Sequence, residues 1–255
     1  MASGLARTTV KPALLLFAVV SVCVAPQSNA AQTGIAHARV LFVGNSLTSQ
    51  NDLSAMLEAL ATQAGASITC SVVASANYSL EDHWKDGAAL RALRRERWTH
   101  IVLQQGPSSL PDSQASLRDY AARFAAEARR VHTAVVLYGV WPPKARSGFF
   151  DAVTGSYARA ADEVGGALVP VGEGWRAAWR RDPSLALYGA DDFHPSSIGT
   201  YMAALMFLQR LTGRSPVGLP PPGESRNRVL GDIRLDAVQL AVLQSAAAEA
   251  NGRQY

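Results

Sequence analysis

Cysteine and charged residues are scarce in this sequence. Its 255 residues include two cysteines, Cys23 and Cys70, and only 17% of the residues are charged. So few cysteines exclude a fold that depends on a framework of disulfides. Hydrophobic residues make up 48% of the chain, a balance that is typical of a protein that folds around a buried core. At this length we expect a single α/β domain.

The sequence also lacks a large excess of either charge and any obvious metal-binding cluster. Its 24 basic and 20 acidic residues give a formal net charge of +4, which is too small to indicate a nucleic-acid partner. Glu81, Asp82 and His83 are adjacent, but neighbouring side chains on one segment point in different directions. We therefore predict no metal site and no organic cofactor. Three further histidines have no partners in the sequence and are expected on the surface or in packing: His37, His100 and His132.

The first thirty residues differ in kind from the rest. Arg7 and Lys11 precede an apolar run over residues 13–25, and small and polar residues follow up to Ala30. This pattern predicts a signal peptide cleaved near Ala30, because the apolar run is shorter than the roughly 20 residues of a membrane-spanning helix. We therefore expect an exported protein, periplasmic or secreted, whose mature part is one domain over residues 31–255.

Cleavage of this segment would change the charge and the cysteine content. Loss of Arg7 and Lys11 takes two positive charges from +4 and leaves +2, and Cys23 is lost as well. Cys70 would remain alone in an apolar run, which predicts a buried, inert thiol and no internal disulfide. No later segment is long and apolar enough to cross a bilayer, so no stable membrane insertion is expected.

Short apolar runs alternate with longer segments of helical periodicity, which predicts an α/β fold. The order βαβαβαβαβ implies a doubly wound, five-stranded parallel sheet with helices on both faces, a three-layer α/β/α sandwich. The predicted strands cover Arg39–Val43, Ile68–Val73, His100–Gln104, Ala134–Tyr138 and Ala167–Val171. The predicted helices cover Leu53–Gln63, Ala88–Arg95, Ser113–Val131, Tyr157–Val164, Ile198–Leu211 and Leu235–Ala250.

Two polar segments stand where a parallel sheet places its ligands, beyond the carboxyl ends of the strands. The first predicted strand runs directly into Gly44-Asn45-Ser46-Leu47. A serine on such a tight strand-to-helix turn is exposed, and the N–H groups of the turn point towards an arriving oxyanion. The same pattern also occurs in phosphate-binding turns and in ordinary helix caps. Ser46 is therefore a candidate nucleophile.

The second segment is Asp191-Asp192-Phe193-His194-Pro195, directly before a predicted helix. On a tight turn, the three-residue offset lets Asp191 accept a hydrogen bond from one imidazole nitrogen of His194 while the other nitrogen faces outward. A hydroxyl nucleophile needs this combination of a base and a group that orients it. A turn that caps the helix, with a solvated histidine, is the alternative.

Together these two segments resemble the first and last blocks of the SGNH hydrolases, also called the GDSL family, and the resemblance covers nearly the whole of residues 31–255. It implies a flavodoxin-like SGNH hydrolase fold. It also implies that Ser46 attacks the acyl carbon, that His194 transfers the proton and that Asp191 orients the imidazole. Asp192 competes for the last role, but the family offset favours Asp191.

The middle blocks depart from the family pattern. Where the family has a glycine, this chain has Ser75-Ala76-Asn77-Tyr78, and where the family has an asparagine donor it has Gln104-Gln105-Gly106. The stretches Leu80–Trp84 and Leu103-Gln104 resemble a variant subgroup with Leu-Glu-Asp-His-Trp and Leu-Gln at these places. By this resemblance the oxyanion hole comprises the Ser46 N–H, Gln104 and, as a second candidate, Asn77.

Two of the five tryptophans follow segments that end near the expected site. Trp141 and Trp84 are therefore candidate substrate-binding residues, because indole faces stack on sugars, whereas Trp98, Trp175 and Trp179 are expected in the core. The sequence thus predicts an exported serine esterase for O-acyl, in particular acetyl, esters of glycans or small molecules. An O-acyltransferase and a catalytically impaired carbohydrate-binding protein are the alternatives, and the oligomeric state stays open.

Overall fold

A computed structural model of the chain describes Met1, Ala2, Gly4, residues 37–224 and residues 227–255. Five strands of the described ranges form one sheet: β1 (His37–Gly44), β2 (Ser67–Ala74), β3 (His100–Leu103), β4 (Ala134–Gly139) and β5 (Ala167–Pro170). They lie in the order β2-β1-β3-β4-β5, and every neighbouring pair is parallel. The predicted doubly wound parallel sheet is thereby confirmed, in the flavodoxin-like order.

Ten α-helices connect or follow these strands within the described ranges. They are α1 (Ser46–Ser49), α2 (Leu53–Gln63), α3 (Leu80–Asp86), α4 (Ala88–Arg95), α5 (Pro111–Arg130), α6 (Phe150–Val164), α7 (Val171–Arg181), α8 (Ser197–Thr212), α9 (Arg228–Gly231) and α10 (Ala237–Gly252). Three 3₁₀ turns, Gln50–Asp52, Lys144–Phe149 and Pro222–Glu224, complete the list.

The helices form layers on the sheet because both of its faces are apolar. Helices α2, α7, α8 and α10 pack against one another in one group, and α3, α4, α5 and α6 pack in a second group. The central strands are covered by both groups, and Ile101, Val102 and Leu103 of β3 have no exposed surface. A parallel sheet that is buried on both faces is expected to have such continuous apolar strands.

The observed elements match the predicted strands closely and the predicted helices less completely. Helices α2 and α4 have the predicted bounds, whereas α3 and α7 were not predicted. Helix α3 is short and mostly polar, and its start depends on a reciprocal hydrogen-bond pair between Ser79 and Asp82, a capping box. Helix α7 begins at Val171, which the prediction placed in the preceding strand, and its first turn contains Gly172 and Gly174, which are poor helix formers.

Three further expectations from the sequence concern the N-terminal segment, membrane insertion and Cys70. Apart from Met1, Ala2 and Gly4, the predicted signal peptide over residues 1–30 lies outside the described residues. Among the helices that the structure describes, none is long and apolar enough to span a membrane. Cys70 is a free, half-buried cysteine, and burial raises the pKa of its thiol far above the ordinary value, which disfavours the reactive thiolate.

Helix α8 approaches the rest of the domain closely at Gly199. A Cβ atom at this position would lie 2.2 Å from the Leu187 carbonyl oxygen and 2.7 Å from the Trp175 ring. A backbone oxygen at that distance must move before a side chain fits. Gly199 therefore allows α8 to approach the segment that precedes the Asp191–Pro195 turn.

Replacement of Gly199 by alanine is expected to lower the free energy of unfolding by about 1–3 kcal/mol through overpacking. Gly155→Ala in the middle of α6 is the matched control, because the nearest atom to its Cβ would be the Arg159 guanidinium at 3.5 Å. We expect this control to stabilise the protein by about 0.5–1 kcal/mol. Urea denaturation of both variants measures the difference, and equal stabilities would contradict the close approach at Gly199.

Candidate active site

Ser46 lies on a tight turn between β1 and α1, and Asn45 caps that helix. The Asn45 side chain accepts a hydrogen bond from the Leu47 N–H at 3.1 Å, while its own amide donates to the Tyr78 carbonyl oxygen at 3.0 Å. A Cβ at Gly44 would lie 2.4 Å from both Gln104 Oε1 and Thr48 Oγ1, so only glycine fits there. The turn thus leaves the Ser46 side chain half-exposed at the carboxyl edge of the sheet.

Folding brings His194 to this turn across 148 residues of sequence. Its Nε2 lies 2.9 Å from Ser46 Oγ, and its Nδ1 lies 2.5 Å from Asp191 Oδ2. The other oxygen of Asp191 accepts hydrogen bonds from the Phe193 and His194 N–H groups at 3.1 and 2.9 Å. A hydroxyl, an imidazole and a carboxylate therefore lie in one hydrogen-bonded row, as a serine nucleophile requires.

The carboxylate of this row is stabilised in its charged form. The hydrogen bond with His194 and the two backbone N–H donors lower the pKa of Asp191 to about 2. Asp191 is 53% exposed and the His194 side chain 30% exposed, so the row is open to solvent. Asp192 takes no part in it, because its carboxylate pairs with the Lys144 ammonium at 3.0 Å and its backbone carbonyl accepts from the Lys144 N–H.

Ser46 and Asn77 border the space where an oxyanion would form. As the first residue of α1, Ser46 has an N–H without an intrahelical partner. Asn77 has a φ of 63° in the left-handed region, is exposed and lines the same cavity as Ser46. Both positions are compatible with the oxyanion role that the sequence predicts for them.

Gln104 is different, and the structure contradicts its predicted role as an oxyanion donor. The residue has no exposed surface, and its Nε2 donates to Asn45 Oδ1 and to the Gln105 carbonyl oxygen. Its Oε1 accepts from the Asn45 N–H at 2.8 Å and from Thr48 Oγ1 at 2.7 Å. Since every hydrogen-bonding group of the amide is occupied, Gln104 holds the Ser46 turn in place and does not face the substrate.

His83 supports the same turn from the other side. Its Nε2 lies 2.7 Å from the Gly44 carbonyl oxygen, which also accepts from the Ser75 N–H at 3.2 Å. A carbonyl only accepts, so Nε2 carries the proton. Desolvation lowers the pKa of His83 and keeps the ring neutral, and its buried Nδ1 has no hydrogen-bond partner among the described residues. The sequence motif around His83 signalled a special position, but not this contact.

The three adjacent polar residues of that motif do not converge. Glu81 pairs with Lys85, Asp82 caps α3 through Ser79, and His83 bonds to Gly44. Each side chain thus has its own partner on a different side of α3. Each residue of the Glu-Asp-His sequence is therefore accounted for by a contact of its own.

A cavity of about 420 Å³ opens beside Ser46. One wall comprises the Asn77–Ser79 turn, a second the loop over residues 105–110, and a third Pro142, Pro143 and Arg146. Phe193 of the Asp191–Pro195 turn lines it as well. The loop over residues 105–110, Arg146 and Phe193 were not predicted, because no local motif marks side chains that reach a cavity from separate parts of the chain.

The predicted substrate role of Trp141 is wrong. The residue has no exposed surface, its indole stacks on Trp175 with ring centroids 3.8 Å apart, and its N–H donates to the Phe193 carbonyl oxygen. A ring that is covered on its faces cannot stack on a sugar. Trp84 also fails as a wall of this cavity, because it packs edge-on against Phe124 between α3 and α5.

Trp179, which was expected in the core, instead borders a second cavity of about 470 Å³. Its ring stacks on Tyr188 with an interplanar angle of 27°, and both rings are partly exposed. Lys144 and Asp192 line the same cavity, which places it beside the Asp191–Pro195 turn. The Tyr188 hydroxyl donates to the Pro142 carbonyl oxygen at 2.6 Å, so the two cavities share a wall.

Gln104→Ala is expected to lower the free energy of unfolding by about 3 kcal/mol. The change leaves the buried Asn45 N–H and the Thr48 hydroxyl without the oxygen that accepts from them and opens a cavity. Thermal unfolding checks this, with the exposed Gln254→Ala near the C-terminus as a control that should lower the stability by less. A Gln104→Ala protein with unchanged stability would show that the residue is not part of the support of the turn.

Comparison of the sequence with protein-family models and with curated proteins finds no match. Among solved structures, the fold is similar to that of a DUF4886 family protein from Bacteroides uniformis, with a TM-score of 0.68, 21% identity and coverage of 84% of this chain and 94% of that chain. It is also similar to a mutant of Axe2, an acetyl-xylooligosaccharide esterase from Geobacillus, with a TM-score of 0.52, 11% identity and coverage of 68% and 93%.

A third solved structure is more similar in sequence than these two. A protein from Slackia heliotrinireducens that has been proposed to be an SGNH hydrolase is 27% identical, with a TM-score of 0.58 and coverage of 68% of this chain and 98% of that chain. This likeness agrees with the flavodoxin-like sheet, with Gly44–Leu47 after the first strand and with Asp191–Pro195 before α8. The chain therefore has the fold of the SGNH hydrolases, and its structural neighbours support the SGNH/GDSL family.

Proposed function

We propose that this protein is a serine esterase that hydrolyses O-acyl esters through an acyl-enzyme. The observation that carries the proposal is the 2.9 Å contact between His194 Nε2 and Ser46 Oγ, with Asp191 on the far nitrogen of the ring. A base within hydrogen-bond reach of a hydroxyl, itself oriented by a third group, is the arrangement that activates a serine.

In the first half of the proposed reaction, Ser46 Oγ attacks the acyl carbon and His194 Nε2 takes its proton. Asp191 accepts the Nδ1–H, which fixes the tautomer and stabilises the imidazolium. The Ser46 N–H and Asn77 donate to the oxyanion. The alcohol then leaves with the proton from His194, and Ser46 remains as its acyl ester.

In the second half, His194 removes a proton from water, which attacks the acyl carbon of the Ser46 ester. Collapse of this intermediate releases the acid and returns the proton to Ser46. The sequence of steps needs no metal or organic cofactor. Both halves use the same oxyanion donors. The stretch around Asn77, which departs from the family pattern, therefore affects the rates of both halves.

For the substrate we propose acetyl or other short acyl esters on carbohydrates or small molecules. The cavity beside Ser46 has hydroxyl groups in its walls, among them Ser79, Ser108 and Ser109. The partly exposed stack of Trp179 and Tyr188 in the second cavity offers an aromatic surface of the kind on which sugars bind. The likeness in fold to an acetyl-xylooligosaccharide esterase is consistent with this substrate class.

Export remains part of the proposal and rests on the sequence of residues 1–30. We propose cleavage near Ala30, which would place the mature domain in the periplasm or outside the cell. Mass spectrometry of the protein recovered from culture medium and from periplasmic extract would give the mature N-terminus. A mature chain that still carries Arg7 and Lys11 would contradict export by cleavage.

Ser46→Ala and His194→Ala are each expected to lower kcat/KM for p-nitrophenyl acetate by roughly 10³–10⁶-fold. Asp191→Asn is expected to have a smaller effect, because the base and the nucleophile remain. The measurement is initial-rate hydrolysis, with circular dichroism to show that each variant stays folded. The exposed Ser245→Ala on α10 serves as the matched serine control and should retain wild-type activity.

The same assay separates the alternatives. A wild-type protein that hydrolyses no short-chain ester, and is not labelled at Ser46 by a phosphonate ester, would disprove the esterase and support a carbohydrate-binding protein. Transfer of the acetyl group to an added sugar, with little free acid, would identify an acyltransferase instead. Activity that survives in Ser46→Ala would disprove the assignment of the nucleophile.

His83 is expected to act on this reaction through the Gly44 carbonyl. His83→Gln can place an amide N–H where Nε2 stands, whereas the shorter His83→Asn cannot reach Gly44. We expect His83→Asn to lower kcat about ten- to hundredfold, because the nucleophile turn shifts, with little change in KM. His83→Gln should restore most of this loss. Equal losses of kcat in the two variants would contradict a role for the Nε2 hydrogen bond.

A further inference from the structure

Arg146 is the only charged side chain among the described residues that line the cavity beside Ser46. The other lining residues are polar and neutral or apolar, and no carboxylate borders the cavity to neutralise it. Arg146 is exposed, and no hydrogen bond or ion pair joins its guanidinium to another described residue. The cavity therefore presents one uncompensated positive charge to whatever occupies it.

The loop that carries Arg146 is hydrogen-bonded to the Asp191–Pro195 turn. The Trp141 indole donates to the Phe193 carbonyl oxygen at 2.9 Å, and the Lys144 N–H donates to the Asp192 carbonyl oxygen at the same distance. The Arg146 N–H donates to the Pro143 carbonyl oxygen at 2.7 Å and closes a turn.

These contacts place Arg146 at a defined position relative to His194. The Lys144 ammonium pairs with Asp192, the immediate neighbour of Asp191. Phe193, which lies between Asp192 and His194 in the sequence, lines the same cavity as Arg146. Lys144 is thereby neutralised while Arg146 is not. The positive charge that faces the substrate space belongs to Arg146.

We propose that Arg146 binds a carboxylate of the substrate, so that the preferred substrate is an acidic ester. This inference rests on the proposed function and narrows its substrate class. A guanidinium offers paired N–H donors that match the two oxygens of a carboxylate. Two sources of the carboxylate have the same chemistry: the free end of a dicarboxylic acyl group, or an acidic sugar that carries the acyl ester.

The test compares pairs of esters of similar size, of which one member carries a carboxylate and the other does not. The first pair is p-nitrophenyl pentanoate and the p-nitrophenyl monoester of glutaric acid, and the second is O-acetylated methyl glucoside and O-acetylated methyl glucuronide. We expect the ratio of kcat/KM for the acidic over the neutral ester to fall about tenfold in Arg146→Gln for the pair that matches the natural substrate. Arg146→Lys should retain part of the preference, and added salt should weaken it.

Arg129→Gln is the matched control, because Arg129 is exposed at the end of α5 and lines no part of this cavity. Its ratio should equal that of the wild type. A fall of the ratio for the first pair places the carboxylate on the acyl group, and a fall for the second places it on the sugar. An unchanged ratio for both pairs in Arg146→Gln would overturn the inference while the esterase proposal stands.

A binding measurement tests the inference even if the protein hydrolyses no ester. Absence of hydrolysis would disprove the proposed function and not the role of Arg146. Monomethyl glutarate is titrated into Ser46→Ala and into Ser46→Ala/Arg146→Gln, followed by chemical shifts in NMR. We expect about tenfold weaker binding to the double variant, with methyl pentanoate binding the two proteins alike. Equal affinities of the two proteins for monomethyl glutarate, and also for methyl glucuronide titrated in the same way, would disprove the role of Arg146.

Discussion

The site depends on one peptide group, the link between Gly44 and Asn45. Its carbonyl accepts from His83 Nε2 and from the Ser75 N–H, and its N–H donates to Gln104 Oε1. All three partners come from segments that follow other strands, so the turn that carries Ser46 is held from several sides at once. Because Gln104 and His83 are almost completely buried, these bonds compete with little water. A glycine is required at this peptide since any side chain would collide with Gln104 and Thr48.

The second half of the site is a turn that other loops hold against the first half. Asp191 accepts hydrogen bonds from the backbone of its own turn. Hydrogen bonds of Trp141 and Lys144 join that turn to the segment after β4. The Tyr188 hydroxyl donates to Pro142 in the same segment. The two halves therefore meet at the carboxyl edge of the sheet without a disulfide between them. Charge is distributed unevenly along this edge: Lys144 is paired with Asp192, while Arg146 faces the cavity alone.

Two tryptophans near the site show that burial decides whether an indole face is accessible to a ligand. Trp141 follows the end of β4 and Trp179 lies within α7, and no local sequence pattern shows which of the two is exposed. In the fold, Trp141 is enclosed by Trp175 and by the Asp191–Pro195 turn, so it is part of the core. Trp179 stacks on Tyr188 at the edge of a cavity and keeps part of its surface accessible. The accessible aromatic surface near the site is therefore that of Trp179 and Tyr188, and not that of Trp141.

The sequence by itself determined what local patterns control: the alternation of strands and helices, the parallel sheet, and the two short motifs that carry Ser46, Asp191 and His194. These follow from apolar periodicity and from turn chemistry within a few residues. Only the tertiary structure decided the direction of each buried amide and the exposure of each indole. Gln104 turns inward because Asn45 and Thr48 surround it, and Arg146 reaches the cavity because its loop is fastened to residues some 48 positions away. Such contacts depend on which chain segments meet in space, and that information is not local.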